Sequence, residues 1–249
     1  MARRAVKAVL VAGLVGGSVI AGAVPAGATP PPCRVSNGAT TFGTVQAAVD
    51  AAGAGARLTV TGTCPGSTVI RKDLTLAGTT FGVNRPVLSG GGTVRVLRIE
   101  PEATVTLTDL IIRDGNAADG SGGGGIQNVG TLTATRVLVT RNRSAGAGGG
   151  ILNLGDLELV RSLVSLNRTP SDGGGIFNAG DLTMWSTDIK GNTSGGVGGG
   201  IFAEGFTTLH TGVITGNTAA DTGGGVLTVN VLIRDRTKIF GNVPDDCVC

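Results

Sequence analysis

Apolar residues in this chain alternate with polar ones in short pieces, and the pieces recur at a fixed distance. In one stretch Ile151, Leu157, Leu159 and Val164 share a parity within their runs, with Glu158 and Ser165 on the other. That is strand periodicity in very short strands. Glycine, asparagine and aspartate separate the pieces, as turns require. The stretch from Gly123 to Asn242 contains five copies of this unit. Each opens on three glycines and an aliphatic residue (Ile126, Ile151, Ile176, Ile201, Val226) and closes on an asparagine (Asn142, Asn167, Asn192, Asn217, Asn242). The spacing is 25 throughout, from Ile126 to Ile151 as from Asn142 to Asn167. A constant period without insertions means one structural unit stacked on itself.

Three short strands and three turns fill such a unit and return the chain to its start one strand spacing higher, about 4.8 Å. The expectation is therefore an all-β protein: a single-stranded right-handed parallel β-helix, or solenoid, with 25-residue coils. The closing asparagines are expected to form a ladder at a buried coil corner, each bonding its neighbour and the turn backbone. A second column, Asn128, Asn153 and Asn178, lapses to Ala203 and Thr228. The competing pattern, a leucine-rich repeat, fails at its second leucine, where Ser162, Thr187, Gly212 and Thr237 stand. The glycine triplets also oppose the helix that such a repeat needs.

Residues 44–53 depart from the strand pattern. Val45, Ala48, Val49 and Ala52 fall on one helical face, with Thr44 as N-cap and Gly53 as the stop. A short N-terminal capping helix here would cover the strand edges at the open end of the solenoid. Further strands are expected at 58–60, 68–70, 74–76 and 94–99, and an imperfect earlier coil at 105–116 that places Asn116 over Asn142. The organisation expected is a signal peptide at 1–28 and one domain at 29–249. That domain comprises an N-terminal cap (29–56), regular repeats (123–242) and a cysteine-containing tail (243–249).

The segment Gly173 to Phe202, GGGIFNAGDLTMWSTDIKGNTSGGVGGGIF, resembles the repeats of secreted bacterial right-handed parallel β-helix proteins. These include the polymorphic outer-membrane protein type repeats and the pectate-lyase-like superfamily. The resemblance covers about half of the chain strongly. It implies the fold, whereas activities across that group differ, from binding or cleaving polysaccharide to adhesion, so the fold does not carry the function.

Composition refines this picture at three points. Arg3, Arg4 and Lys7, the apolar run Ala8 to Val24 and Ala26-Gly27-Ala28 read as a cleaved export signal. The mature chain would begin at Thr29, be secreted or held at the cell surface, and keep no membrane span. Of 20 basic and 17 acidic residues the signal takes three basic ones, leaving 17 of each sign. That balance argues against a nucleic-acid partner. Four cysteines in an exported chain suggest disulfides, and Cys33 to Cys64 would tie the N-terminal segment to the first coil. The pairing of Cys247 and Cys249 stays open.

Chemistry is sought on the outward columns. One reads Thr135, Val160, Trp185, His210, Asp235. The only tryptophan, the only histidine and an aspartate would thus stack on consecutive coils, a candidate surface binding cluster for a sugar ring. A plain surface pile is the alternative. The next column reads Asp109, Arg136, Arg161, Ser186, Thr211, Arg236, and a third, apolar column reads Gln127, Leu152, Phe177, Phe202, Leu227. The third is either an exposed strip or a shield over the coil. No recurring acidic cluster, metal-ligand set or cofactor motif is found. Sequons at Asn142, Asn167 and Asn192 fall on the ladder and read as accidental. The function expected is a non-catalytic binding or structural protein whose partner is an extracellular polysaccharide or cell-envelope component. The alternative is a polysaccharide lyase or glycoside hydrolase.

Overall fold

The computed structural model describes residues 31–79 and 85–249. The expected signal peptide and the start at Thr29 lie outside them. The chain winds as a parallel β-solenoid with three long sheets. Sheet 1 runs from Ala56–Thr61 through Thr104–Thr108, Thr131–Thr135, Asp156–Val160 and Asp181–Trp185 to Thr207–Thr215 and Leu232–Phe240. Sheet 2 stacks Thr63–Pro65, Val87–Ser89, Ile111–Arg113, Leu138–Thr140, Leu163–Ser165 and Asp188–Lys190, and merges with sheet 1 in the long strand Thr207–Thr215. Sheet 3 has eight strands, from Thr68–Ile70 to Cys247–Val248, with Ile126, Ile151, Ile176, Ile201 and Val226 in register. Five two-residue strands, Asn116–Ala117 to Thr218–Ala219, line the turn between sheets 2 and 3.

The core is a set of one-residue columns inside the coil. Ile126, Ile151, Ile176, Ile201 and Val226 are fully buried, as are Leu159, Met184 and Leu209 in sheet 1 and Val164, Ile189 and Ile214 in sheet 2. Alternation produces this directly, because every second side chain of a strand points inward. The glycine triplet has two physical causes. Its first member, such as Gly148 at φ +68°, holds a left-handed conformation that side chains disfavour. At its third member a Cβ on Gly150 would lie 2.7 Å from the Gly175 carbonyl oxygen and 2.8 Å from Asn167 Nδ2. Backbone stacks directly on backbone there.

Polar ladders hold the corners. In the asparagine ladder each side-chain carbonyl accepts from the coil on its N-terminal side. Asn192 Oδ1 accepts from Asn167 N and Nδ2, both at 3.0 Å, and Asn192 Nδ2 donates to Asn217 Oδ1 at 2.9 Å. All of Asn142 to Asn217 are buried, so the sequons there are inaccessible. The second ladder joins Asn128 Nδ2 to Asn153 Oδ1 and Asn153 Nδ2 to Asn178 Oδ1, each at 2.7 Å. It ends where Asn178 donates to the buried Thr207 hydroxyl at 3.2 Å. A third corner uses hydroxyls: Ser162 Oγ accepts from Val137 N at 3.0 Å, and Thr187 Oγ1 from Ser162 N at 3.2 Å. Those serine and threonine positions are the ones that broke the leucine-rich pattern.

Two expectations need correction. Asn116 does not stand over Asn142. The offset is 27 along the whole coil, so Gly115 takes the ladder position and donates its N–H to Asn142 Oδ1 at 2.8 Å. The residue preceding each ladder position is left-handed, from Asp114, Arg141 and Leu166 to Gly191, Gly216 and Gly241. The helix spans Val45–Ala51 and caps on Ala52 rather than Gly53, while Thr44 Oγ1 accepts from Ala47 N as expected.

The N-terminal end of the coil stack is sealed on three sides. Arg34–Ser36 pairs antiparallel with Ala56–Thr61. Thr63 N donates to the Pro31 carbonyl at 3.0 Å. On sheet 3 the helix residue Gln46 acts like a peptide unit: its Oε1 accepts from Val69 N at 2.7 Å, and its Nε2 donates to Val69 O at 3.3 Å. The Cys33–Cys64 disulfide closes the same end, as expected, and Cys247 is paired with Cys249.

Candidate functional site

The outer face of sheet 1 carries the expected cluster. Register places Trp185 beside His210 and His210 beside Asp235 on consecutive coils. The Trp185 and His210 rings lie 3.8 Å apart at 9°, a parallel stack. Trp185 is 44% exposed. The stack follows from parallel in-register strands, which put side chains of one column about 4.8 Å apart and leave planar rings free to lie flat. Asp235 joins less closely. His210 Nδ1 and Asp235 Oδ2 are 3.7 Å apart, too long for a hydrogen bond. The Asp235 carboxylate instead accepts from its neighbour Arg236, Nε at 3.3 Å and Nη2 at 3.4 Å. Arg236, then His210, holds that carboxyl below its ordinary pKa. A His/Asp proton relay would therefore have no hydrogen bond behind it, while the flat aromatic platform is present.

The same face carries more than the sequence reading assembled. Phe206, 57% exposed, stands four residues from His210 on the same strand path, about 13 Å away in an extended chain. Thr183, Thr208 and Ile233 fill the column between, in register. On the preceding coils Asp156, Glu158 and Asp181 line one shallow hollow of about 420 Å³. Asp156 and Asp181 are direct register partners. The sequence signal for this pair is their spacing, since Asp156 and Asp181 are 25 apart.

The other two columns resolve differently. Asp109, Arg136, Arg161, Ser186, Thr211 and Arg236 all adopt left-handed conformations, with φ between 49° and 55°. This column is the turn between sheets 1 and 2. Its one strong contact is a two-pronged ion pair, Arg136 Nε and Nη2 each donating to Asp109 at 2.7 Å, and this bond holds the Asp109 carboxyl below its ordinary pKa. The apolar column is a shield, not a strip. Gln127, Leu152 and Phe202 are buried yet lie outside the continuous core. Glycine turns fold back over them: a Cβ on Gly122 would meet Leu152 Cδ2 at 2.7 Å, and one on Gly198 would meet Phe202 Cβ at 2.5 Å. Phe177 and Phe202 meet edge to face at 5.2 Å.

Among the described residues no three His, Cys, Asp or Glu side chains gather to hold a metal ion. In the same residues no helix is long and apolar enough to cross a membrane. Compared with known proteins, the chain matches no family model, no curated sequence and no solved structure.

Proposed function

We propose that this is an exported, non-catalytic β-solenoid of the secreted bacterial β-helix type that binds an extracellular or cell-envelope polysaccharide on the outer face of sheet 1. The observation that carries the reading is the exposed, coplanar Trp185–His210 stack. A flat aromatic surface takes the apolar face of a sugar ring, and flanking hydroxyls and carboxylates take its hydroxyl groups. Thr183, Thr208 and Asp235 are those flanking groups. Phe206 supplies a second apolar contact at the far side of the sheet. The disulfide at Cys33–Cys64 supports an oxidising compartment.

Because Trp185 is the only tryptophan, its fluorescence reports this face alone. Titration with soluble neutral glucans and N-acetylated glycans should shift its emission, and Trp185→Ala should abolish retention on the polysaccharide that binds. If no glycan perturbs Trp185, the reading fails. A second reading, a lyase or hydrolase, draws on the hollow lined by Asp156, Glu158 and Asp181, since two carboxyl groups across one bond are the minimum for glycoside hydrolysis. It predicts new reducing ends or unsaturated products that disappear in Asp181→Asn.

A further inference from the structure

The corner between sheets 2 and 3 has a chemistry of its own. Two adjoining hollows, of about 340 and 320 Å³, run along the coil stack there and share Arg143 and Arg168. Arg141 lines the first and continues into a larger hollow that also holds Arg113. These four guanidinium groups face one carboxylate, Asp114, which sits 3.4 Å from Arg113 Nε and 3.5 Å from Arg141 Nε. Arg143 and Arg168 are direct register partners on neighbouring two-residue strands, so their Cα atoms stand one strand spacing apart, about 4.8 Å. Like charges directly opposite each other destabilise a sheet. Arg143 anchors one N–H on the Gly92 carbonyl at 2.9 Å, and Arg168 is exposed beside it. Basic and acidic residues are nearly balanced in the whole chain, so the concentration of charge at this corner is a matter of arrangement.

We infer that this corner is a binding groove for a linear acidic polysaccharide, separate from the aromatic face of sheet 1. Guanidinium forks bind carboxylate or sulfate two-pronged. Arg143 and Arg168, one coil apart in the same column, suit a straight chain bearing one acidic group per sugar. Beside the arginines Thr193 is exposed and offers a hydroxyl to a sugar, while Ser144, Thr169 and Ser194 are buried with their hydroxyls bonded to the turn backbone. The hollows contain no aromatic side chain on which a nucleic-acid base would stack. A duplex also winds its phosphates away from a straight row.

The test measures binding of the intact chain to alginate, a carboxylated polymer, and to dextran sulfate, a sulfated one, by calorimetry at two salt concentrations. Binding to at least one polymer is expected, weaker in high salt. Arg143→Gln with Arg168→Gln should weaken it about tenfold, while Arg161→Gln, which removes a positive charge at the turn between sheets 1 and 2, leaves it unchanged. Arg143→Lys with Arg168→Lys keeps the charge, loses the fork, and should fall between. Both arginines are exposed, so unchanged circular dichroism is expected and separates lost binding from lost folding. The inference is overturned if neither polymer binds, if the glutamine variant binds as tightly as the parent, or if duplex DNA binds as tightly through the same arginines. Loss of glycan binding in Trp185→Ala alone would concern the sheet 1 face and leave this groove standing.

Discussion

Replacing Asn192 with leucine removes one rung from the middle of the asparagine ladder without changing its size much. Asn192 is fully buried. Its Oδ1 accepts from the Asn167 main-chain N–H and side-chain amide, both at 3.0 Å, and its Nδ2 donates to the Val164 carbonyl at 3.0 Å and to Asn217 Oδ1 at 2.9 Å. In the variant the Asn167 N–H, one Asn167 amide proton and the Val164 carbonyl all lose that partner. Asn167 Nδ2 keeps the Val139 carbonyl at 3.1 Å, and Asn217 Oδ1 keeps the residue 192 N–H at 2.9 Å. A buried group left unpaired costs about 1–3 kcal/mol. Three such losses, partly offset by the surviving bonds, come to about 3–5 kcal/mol. A domain of this size melts roughly 2–4 °C lower per kcal/mol, so the midpoint should fall by about 10 °C. Far-ultraviolet circular dichroism during heating reads this directly. Trp185→Ala, on the exposed face, should stay within about 2 °C of the parent. If Asn192→Leu melted within 2 °C of the parent as well, the ladder would contribute nothing and the account of the corner would be wrong.

Other expectations follow from single contacts. Converting Cys33 and Cys64 to serine opens a loop spanning 31 residues and should cost about 3–4 kcal/mol, read as a lower denaturant midpoint; peptide mapping without reductant should recover the two cysteines linked. Leu166 is 60% exposed with φ 56°, where glycine stands in the next three coils, so Leu166→Gly should raise stability by about 1 kcal/mol; a loss of stability would refute left-handed strain at that position. The lowered pKa of Asp109, caused first by its bond to Arg136, means that its contribution is fully present above the ordinary carboxyl pKa and fades as pH falls below it. Asp109→Asn should therefore be less stable than the parent by about 1 kcal/mol at pH 6 and equal to it in strong acid, and an equal deficit at both pH values would remove the ion pair from the explanation.

The regular coils were legible because one number, the 25-residue spacing, fixes every register between them. From Ile126 and Asn142 alone, the stacked core and the ladder follow, and Trp185, His210 and Asp235 fall into one column. The irregular coils were not legible to the same degree. Thr63–Pro65 and Val87–Ser89 were missed, the first because three residues ending in proline make no periodic signal. Asn116 was matched to Asn142 by residue type, when the backbone keeps an offset of 27 and glycine takes the place. Alternation showed that Leu152 and Phe202 face away from the core, but not that the glycine turns fold over them. The arginine corner was invisible for a related reason. Arg113, Arg141, Arg143 and Arg168 belong to three different columns, and only the turn between sheets brings them to one surface.

The three-sided seal around Arg34–Ser36, Pro31 and Gln46 bears on how copies of this molecule behave when concentrated. A parallel coil stack is a natural monomer for a fibre, since the last strand of one copy would continue onto the first strand of the next. Such growth requires a vacant starting surface on every copy. Here the starting surface is already taken by a reversed strand, a proline carbonyl and a glutamine amide. One blocked end is enough to forbid open-ended polymerisation, whatever the opposite end presents. The seal is thus a guard against self-propagation, and its cheapest part is a single amide: without Gln46, the Val69 backbone would be the first template on offer.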